Sequence, residues 1–330
     1  MTHLLLILLS AGIILSWNWA LTRAARAVAD GLWPQRRGLH LLALATPAVG
    51  LLIGLTGVND LVAQTCSTGV QVGNLLVDAA LGVATLSALG AVTLGVVRLI
   101  LALRVLARGA VAAPPDLQAI ADRLADAAGR ARVRLALCAA DSPLAITWGI
   151  RQPQVLLSTW MVRELDPDEL ETVLAHELNH AARRDFAVNW LATMLRDAFF
   201  YLPTSRAAYR EFKRDNELAC DDQAAGATGQ PLALASALAK VWYHFASGSA
   251  PLLGQSLVVP SRCCPIEERI ERLSAVPGPA PLTTGARSAR ALGTVALTTL
   301  LVLVALNIVI QFVPRACNAF PLACGVLRLR

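Results

Sequence analysis

Apolar residues fall in four long blocks, 4–21, 39–58, 79–97 and 291–313, separated by polar or mixed stretches. A helix needs roughly 20 mostly apolar residues to cross a bilayer, and each block meets or approaches that length. The second block contains Pro47 and several glycines, and the fourth contains no charged residue. One such block can be the core helix of a soluble protein. Four in one chain predict a polytopic membrane protein.

The arginines orient these blocks. Met1, Thr2 and His3 precede the first block, and Arg23, Arg26, Arg36 and Arg37 follow it. This is the reverse of a secretory signal, so the expectation is an uncleaved helix with its N-terminus outside and the first loop in the cytoplasm. The loop 59–74 has no Lys or Arg, whereas Arg98, Arg104 and Arg108 close the third block and Arg287 and Arg290 precede the fourth. By the positive-inside rule, residues 109–290 are cytoplasmic and the tail 314–330 lies outside. Arg315, Arg328 and Arg330 in that tail run mildly against the rule.

The cytoplasmic stretch has a different pattern and is long enough for one domain with its own core. Residues 116–128 have helical spacing, with Leu117, Ile120, Ala121 and Leu124 on one face. Residues 133–138, 145–148 and 154–157 read as short strands, the last two joined by a turn at 149–153. Asp166-Pro167-Asp168-Glu169 is a strong helix start, with a capping Asp, Pro in the first turn and an acid where a capping box needs one. That helix is expected to run to about 184. Residues 186–201 form an amphipathic helix, read as core packing rather than a membrane-surface element. Residues 247–261 read as a loop and 277–281 as a Pro-rich linker.

Composition sharpens this reading. Of 330 residues, 55% are hydrophobic and 16% charged, against roughly 25% charged in an ordinary globular protein. Mean hydropathy is +0.54. These values exclude a disordered chain and a disulfide-knit mini-protein. The formal charge is +6, but the arginines flank apolar blocks, so no direct nucleic-acid partner is expected. The seven cysteines contain no CxxC pair, so a cysteine zinc site is not indicated. Of those expected outside, Cys317 and Cys324 are equally readable as a disulfide or as free thiols.

The chemistry lies in the capped helix. His176-Glu177-Leu178-Asn179-His180 places two histidines four residues apart on one helical face. They can bind one metal ion, with Glu177 beside them as a general base toward water, the HExxH arrangement of zinc metalloproteases. A catalytic zinc takes three protein ligands, and Asn216-Glu217-Leu218-Ala219-Cys220-Asp221 on a second helix offers the third. Glu217 is the candidate ligand. Asp221, four residues on, can accept the second ring N–H of a histidine ligand and fix its tautomer. Asp222 is an alternative for that role, and Cys220 is a less favoured ligand. Without the upstream helix, Glu217 and Asp221 would be only a charged helix face.

HELNHAARRD followed by NELACDD resembles the membrane-embedded gluzincin proteases, and is closest to receptor-type metalloproteases typified by the β-lactam-sensing antirepressors of bacteria. The heat-shock and CAAX-prenyl membrane proteases share the zinc motifs. The resemblance implies a mainly α membrane protein with four transmembrane helices and a cytoplasmic α+β gluzincin-type zinc protease domain. The implied organisation is 1–108 for three spans, 109–290 for the protease, 291–313 for the fourth span and 314–330 for a short extracytoplasmic tail. It further implies Zn2+ held by His176, His180 and Glu217, with Glu177 catalytic and the protein in the plasma membrane.

The segment 145–157 is similar to the family's strand pair whose edge holds an extended substrate. Pro265-Ile266-Glu267-Glu268-Arg269-Ile270 resembles the family's late Pro-x-x-x-Arg-Ile helix. Where a histidine often precedes that proline, this chain has Cys264. Arg269 is read as structural, with oxyanion stabilisation as the alternative. The residues after the fourth span are too few for the receptors' penicillin-binding sensor, so a separate sensor protein, the short outer segments or the spans are expected to carry any signal. The implied substrate is a protein, such as a transcriptional repressor or the chain itself. Quality control of membrane proteins and a catalytically silent receptor are the competing functions. His244 is read as a packed histidine and Asn179 as a solvated or packing residue.

Overall fold

The structure is a computed structural model, and it describes residues 2–28, 32–53, 71–247 and 265–275. The fourth apolar block, residues 248–261 of the expected loop, the expected linker 277–281, and Cys66, Cys263, Cys264, Cys317 and Cys324 lie outside the described residues. The chain divides into two compact units, one of residues 1–93, 194–209 and 282–330, the other of residues 94–193 and 210–281.

In the first unit, α1 (Thr2–Ala27) and α2 (Trp33–Ile53) pack against each other. Leu21, Ala24, Ala25, Ala43 and Leu44 are buried there, and Asn18 Nδ2 donates to the Ala43 carbonyl at 2.7 Å. That bond satisfies a buried amide that would otherwise be costly. α3 (Gln71–Gly109) is a single long helix, of which residues 71–93 belong to the first unit and 94–109 to the second. Its stretch Gly82–Gly109, with mean hydropathy 2.1, is the one helix among the described residues long and apolar enough to cross a membrane. Val83, Leu86, Leu89, Leu94, Ile100, Leu101 and Val105 along it are exposed. Four spans are therefore not shown.

The second unit is built on a four-stranded sheet. β1 (Val111–Ala112), β2 (Arg134–Cys138), β3 (Ala145–Trp148) and β4 (Gln154–Ser158) are ordered β1-β2-β4-β3. β2 and β4 run parallel in the register Leu135↔Val155, Leu137↔Leu157, and the two outer strands are antiparallel to their neighbours. The β3–β4 turn requires Gly149. Its φ is +101°, and a Cβ there would lie 2.6 Å from the Gln152 carbonyl oxygen.

Strand side chains alternate between faces, so Leu135, Leu137, Val155 and Leu157 share one face of the sheet. They join a core with Leu117 and Ile120 of α4 (Pro115–Ala127) and Val173 and Leu174 of α6 (Pro167–Ala182). The short α5 (Thr159–Glu164) between them is capped by Ser158 Oγ, which accepts from Met161 N, and adds Trp160 and Met161 to the core.

α6 starts as its sequence signals. Glu169 accepts from the Asp166 backbone N–H at 2.9 Å, closing a capping box with Pro167 in the first turn, a device worth about 1 kcal/mol. The helix ends at Ala182, short of the expected 184, because Arg184 has φ +53°. α7 (Asp185–Ala198) follows at once. α8 (Pro203–Thr228) and α9 (Pro231–Ala246) complete the run, and α10 (Ile266–Ser274) packs against α9. The amphipathic α7 is only partly packed, with Ala192 and Ala198 buried and Leu191 exposed.

Candidate metal centre

α6 and α8 bring the candidate ligands together. His176 and His180 lie one turn apart on α6, with their Nε2 atoms 3.1 Å from each other, and His176 Nε2 is 3.8 Å from Glu217 Oε2 of α8. One donor atom from each of the three lies within 4.8 Å of the other two. The arrangement fits a metal ion because of what holds the other ring nitrogens. His180 Nδ1 is 2.7 Å from Asp185 Oδ2, and His176 Nδ1 is 2.9 Å from Asp221 Oδ1. The first contact is a hydrogen bond. In the second the two atoms are close but do not meet hydrogen-bond geometry. Each Nδ1 faces a carboxylate, which leaves both Nε2 lone pairs for a metal ion.

Glu177 is buried on the same helix, and Thr147 of the edge strand β3 reaches it. The Thr147 hydroxyl lies 2.9 Å from Glu177 Oε2 and 2.8 Å from the Glu177 carbonyl oxygen, donating to one or the other. The edge strand and the candidate base are thus fastened at one point. Lys213, one turn before Glu217, is 3.9 Å from that carboxylate.

Arg269 enters from α10. Its Nε and Nη2 donate to the two oxygens of Asp221, both at 2.7 Å, and Nη1 is 3.4 Å from Glu217 Oε2. Its guanidinium is therefore engaged with acids on α8. Asp222 faces the other way and accepts from Arg272.

Charge at the site is balanced toward a cation. Burial pushes the Glu217 carboxyl up, but Arg269, His180, Lys213 and His176 together hold it down to about 2. Asp221 is likewise pushed up by burial and held well below the usual carboxylate range by Arg269 and His176. Burial lowers His180, while Cys220, Asp185 and Glu217 raise it to a net value well above the usual range. The acids that favour a proton on that ring equally favour a dication at its Nε2.

Several functional positions were not visible in the sequence. Asp185 is one. Only the left-handed Arg184 turns the chain so that an acid five residues past His180 returns to its ring. Arg183 is another. Its Nη2 donates to Asn216 at 2.7 Å, and its Nε is 3.6 Å from Asp185 Oδ1. Cys220 is fully buried with Sγ 3.4 Å from His180 Nδ1, the ring nitrogen opposite the metal-facing one. It therefore lies behind the ligand rather than beside Glu217. Burial raises its thiol pKa. Asn179 is buried, donates to the Cys220 carbonyl at 3.2 Å and accepts from Arg130, so it ties α6 to α8 and is not solvated. His244 packs edge-on against Trp160 with ring centroids 4.9 Å apart.

A small α+β unit with an HExxH helix, a following ExxxD helix and a carboxylate behind each histidine defines a metallopeptidase-type centre. Residues 68–228 match the family model described as BlaR1 peptidase M56. The chain is also similar to the protease HtpX homolog 1 of Streptomyces coelicolor, at 36% identity over 38% of this chain and 53% of that protein. The protease HtpX homolog of Pyrococcus furiosus matches at 28% identity over 48% of this chain and 72% of that one. The chain spans about half the length of the first of these relatives. Among solved structures, the crystal structure of S. mikatae Ste24p aligns with 74% of this chain and 67% of that one, at 16% identity and a TM-score of 0.38. Over part of its length the chain thus resembles peptidases of the BlaR1 M56 and HtpX types.

Proposed function

We propose that this chain is a membrane-embedded zinc-dependent endopeptidase that cleaves a cytoplasmic or membrane-associated protein in regulatory signalling. The observation carrying this reading is the convergence of His176 Nε2, His180 Nε2 and Glu217 Oε2 beside the tethered Glu177. A zinc ion held by those three residues supplies Lewis-acid polarisation of the scissile carbonyl and activation of water.

The residues of the chain do the remainder. Glu177 takes a proton from the attacking water and returns it to the leaving amine. Asp185 holds the His180 imidazole in the tautomer that presents Nε2, and Asp221 lies behind the His176 ring. Among the described residues β3 is an outer strand of the sheet, along whose edge an extended substrate segment pairs as an added strand. Thr147 on that strand keeps the paired segment and Glu177 in register.

The signalling role is supported by the match to the BlaR1 peptidase description. The topology proposed with it has three spans before residue 109, the protease in the cytoplasm, a fourth span at 291–313 and a short outer tail. A separate sensor protein supplies the stimulus, and the substrate is a transcriptional repressor or the chain itself.

The test compares new protein N-termini in the host carrying wild type with those in the host carrying Glu177→Gln. One or two products dependent on Glu177 support signalling proteolysis. Many diffuse membrane-protein products replace it with quality control. No difference under several stresses leaves a silent receptor and overturns the enzyme.

A further inference from the structure

α10 is nine residues long, and six of them are charged or polar: Glu267, Glu268, Arg269, Glu271, Arg272 and Ser274. Its apolar contribution is Leu273, which is buried, and Ile270, which is partly so. Its attachment therefore combines this apolar contact with charge. Three of its charged residues, Glu268, Arg269 and Arg272, form ion pairs with α8. Arg214 Nε donates to the Glu268 carboxylate at 2.9 and 3.0 Å. Arg269 grips both oxygens of Asp221, and Arg272 donates to both oxygens of Asp222 at 3.2 and 3.0 Å. The outer two pairs are about one-third exposed, whereas Arg269 and Asp221 are nearly inaccessible.

The central pair touches the metal-ligand set at two points. Asp221 lies 2.9 Å from His176 Nδ1, and Arg269 Nη1 lies 3.4 Å from Glu217 Oε2. Removing Arg269 would leave two buried carboxylates, Asp221 and the ligand Glu217, without their principal counter-charge, which is costly for buried acids. The outer pairs touch no ligand. Because exposed pairs contribute little individually and are screened by salt, they hold α10 less firmly than the buried Arg269–Asp221 pair does. In the sequence, α10 is followed within about 16 residues by the apolar run 291–313.

We propose that α10 is a releasable clamp on the metal-ligand set. Arg269 is a positioning residue that holds Asp221 and Glu217 in their ligating arrangement, and the Arg214–Glu268 and Asp222–Arg272 pairs govern how firmly it is delivered. This rests on the zinc reading above. It adds that the site's affinity for metal is set by a helix outside the HExxH and ExxxD motifs, so a displacement of the chain after Ser274 reaches the centre through one guanidinium.

The experiment measures zinc affinity of the full chain in detergent by competition with a chromophoric chelator, with folding checked by circular dichroism. Arg269→Gln is expected to weaken zinc binding about 10- to 100-fold, in the range for groups behind metal ligands. Glu268→Gln with Arg272→Gln is expected to weaken it severalfold while leaving every ligand and Arg269 intact. The exchange Asp222→Arg with Arg272→Asp, which restores one pair in reverse, is expected to hold wild-type affinity where Asp222→Arg alone does not. If Arg269→Gln fails to fold, the outer-pair variants and the exchange decide the matter.

Wild-type affinity in the outer-pair double variant overturns the clamp. If the wild-type protein itself binds no zinc, the metal centre and the clamp fall together. Zinc bound normally, with cleavage lost in Glu177→Gln and unchanged affinity in the α10 variants, removes only the clamp.

Discussion

Asp185 Oδ2 sits 2.7 Å from His180 Nδ1, and the residue that makes this possible, Arg184, has a left-handed backbone with φ +53°. The turn places the first residue of α7 behind the last histidine of α6. It costs roughly 1 kcal/mol for a residue with a side chain, and its return is a fixed ring tautomer on a metal ligand.

Asp185→Asn is therefore expected to weaken zinc binding about 10- to 100-fold with secondary structure retained. A zinc titration against a competing chelator checks it, and affinity within twofold of wild type would remove Asp185 from the site.

The backbone itself gives a second expectation. Arg184 is exposed, so Arg184→Gly relieves the left-handed cost without losing packing and should raise stability by about 1 kcal/mol. Arg184→Val, β-branched at positive φ, should lower it by at least as much. Thermal unfolding of the zinc-free chain resolves the two signs.

Thr147 links the edge strand to the base. Thr147→Val keeps the shape and removes the hydroxyl donor, so turnover should fall about tenfold, the cost of one hydrogen bond to a charged group. Zinc stoichiometry should stay at the wild-type value. Loss of metal in that variant would show that Thr147 supports the ligands instead of Glu177.

Glu268 carries a pH signature. The Arg214 guanidinium holds its carboxyl below the ordinary value of 4.5, against a smaller upward push from burial. A depressed carboxyl contributes stability above its unfolded value, and that stability disappears as pH falls through the lower folded value. Between neutral pH and about 4.5 the contribution is complete, and below 4.5 it declines. In the zinc-free protein, the stability gap between wild type and Glu268→Gln should be constant above that point and shrink below it. A gap independent of pH throughout would exclude the Arg214 pairing.

Metal should also report on folding. Zinc that binds only the folded state stabilises it by mass action, by about 2.7 kcal/mol at a hundredfold excess over the dissociation constant. Chelation should lower the thermal midpoint, zinc should restore it, and Glu217→Ala should abolish that response. A wild-type midpoint indifferent to zinc would contradict the centre.

Much of the local structure was legible from the chain. Asp166, Pro167 and Glu169 announce the start of α6 because capping is decided within four residues. The three strands emerge within a residue of their expected limits because alternation and turn residues are local signals. His176, Glu177 and His180 share a face by helical period alone. The sequence marks the second helix only around Asn216–Asp221, whereas it spans Pro203–Thr228. The chain order of HExxH and ExxxD named Glu217 and, by its i,i+4 spacing, favoured Asp221, with Asp222 left as an alternative. Only the packing of α10 separates the two, by giving one to Arg269 and the other to Arg272.

Local rules thus sufficed for the elements and for the chemical types gathered in them, since caps, periods and i,i+4 spacing act within a turn or two of chain. The pairings between elements were beyond them. His180 with Asp185, Glu177 with Thr147, Asn179 with the Cys220 carbonyl and Asp221 with Arg269 depend on one left-handed residue, an edge strand and the seating of helices tens of residues apart. Such contacts are set by which buried polar groups must find partners once the core has closed. That requirement exists only in three dimensions.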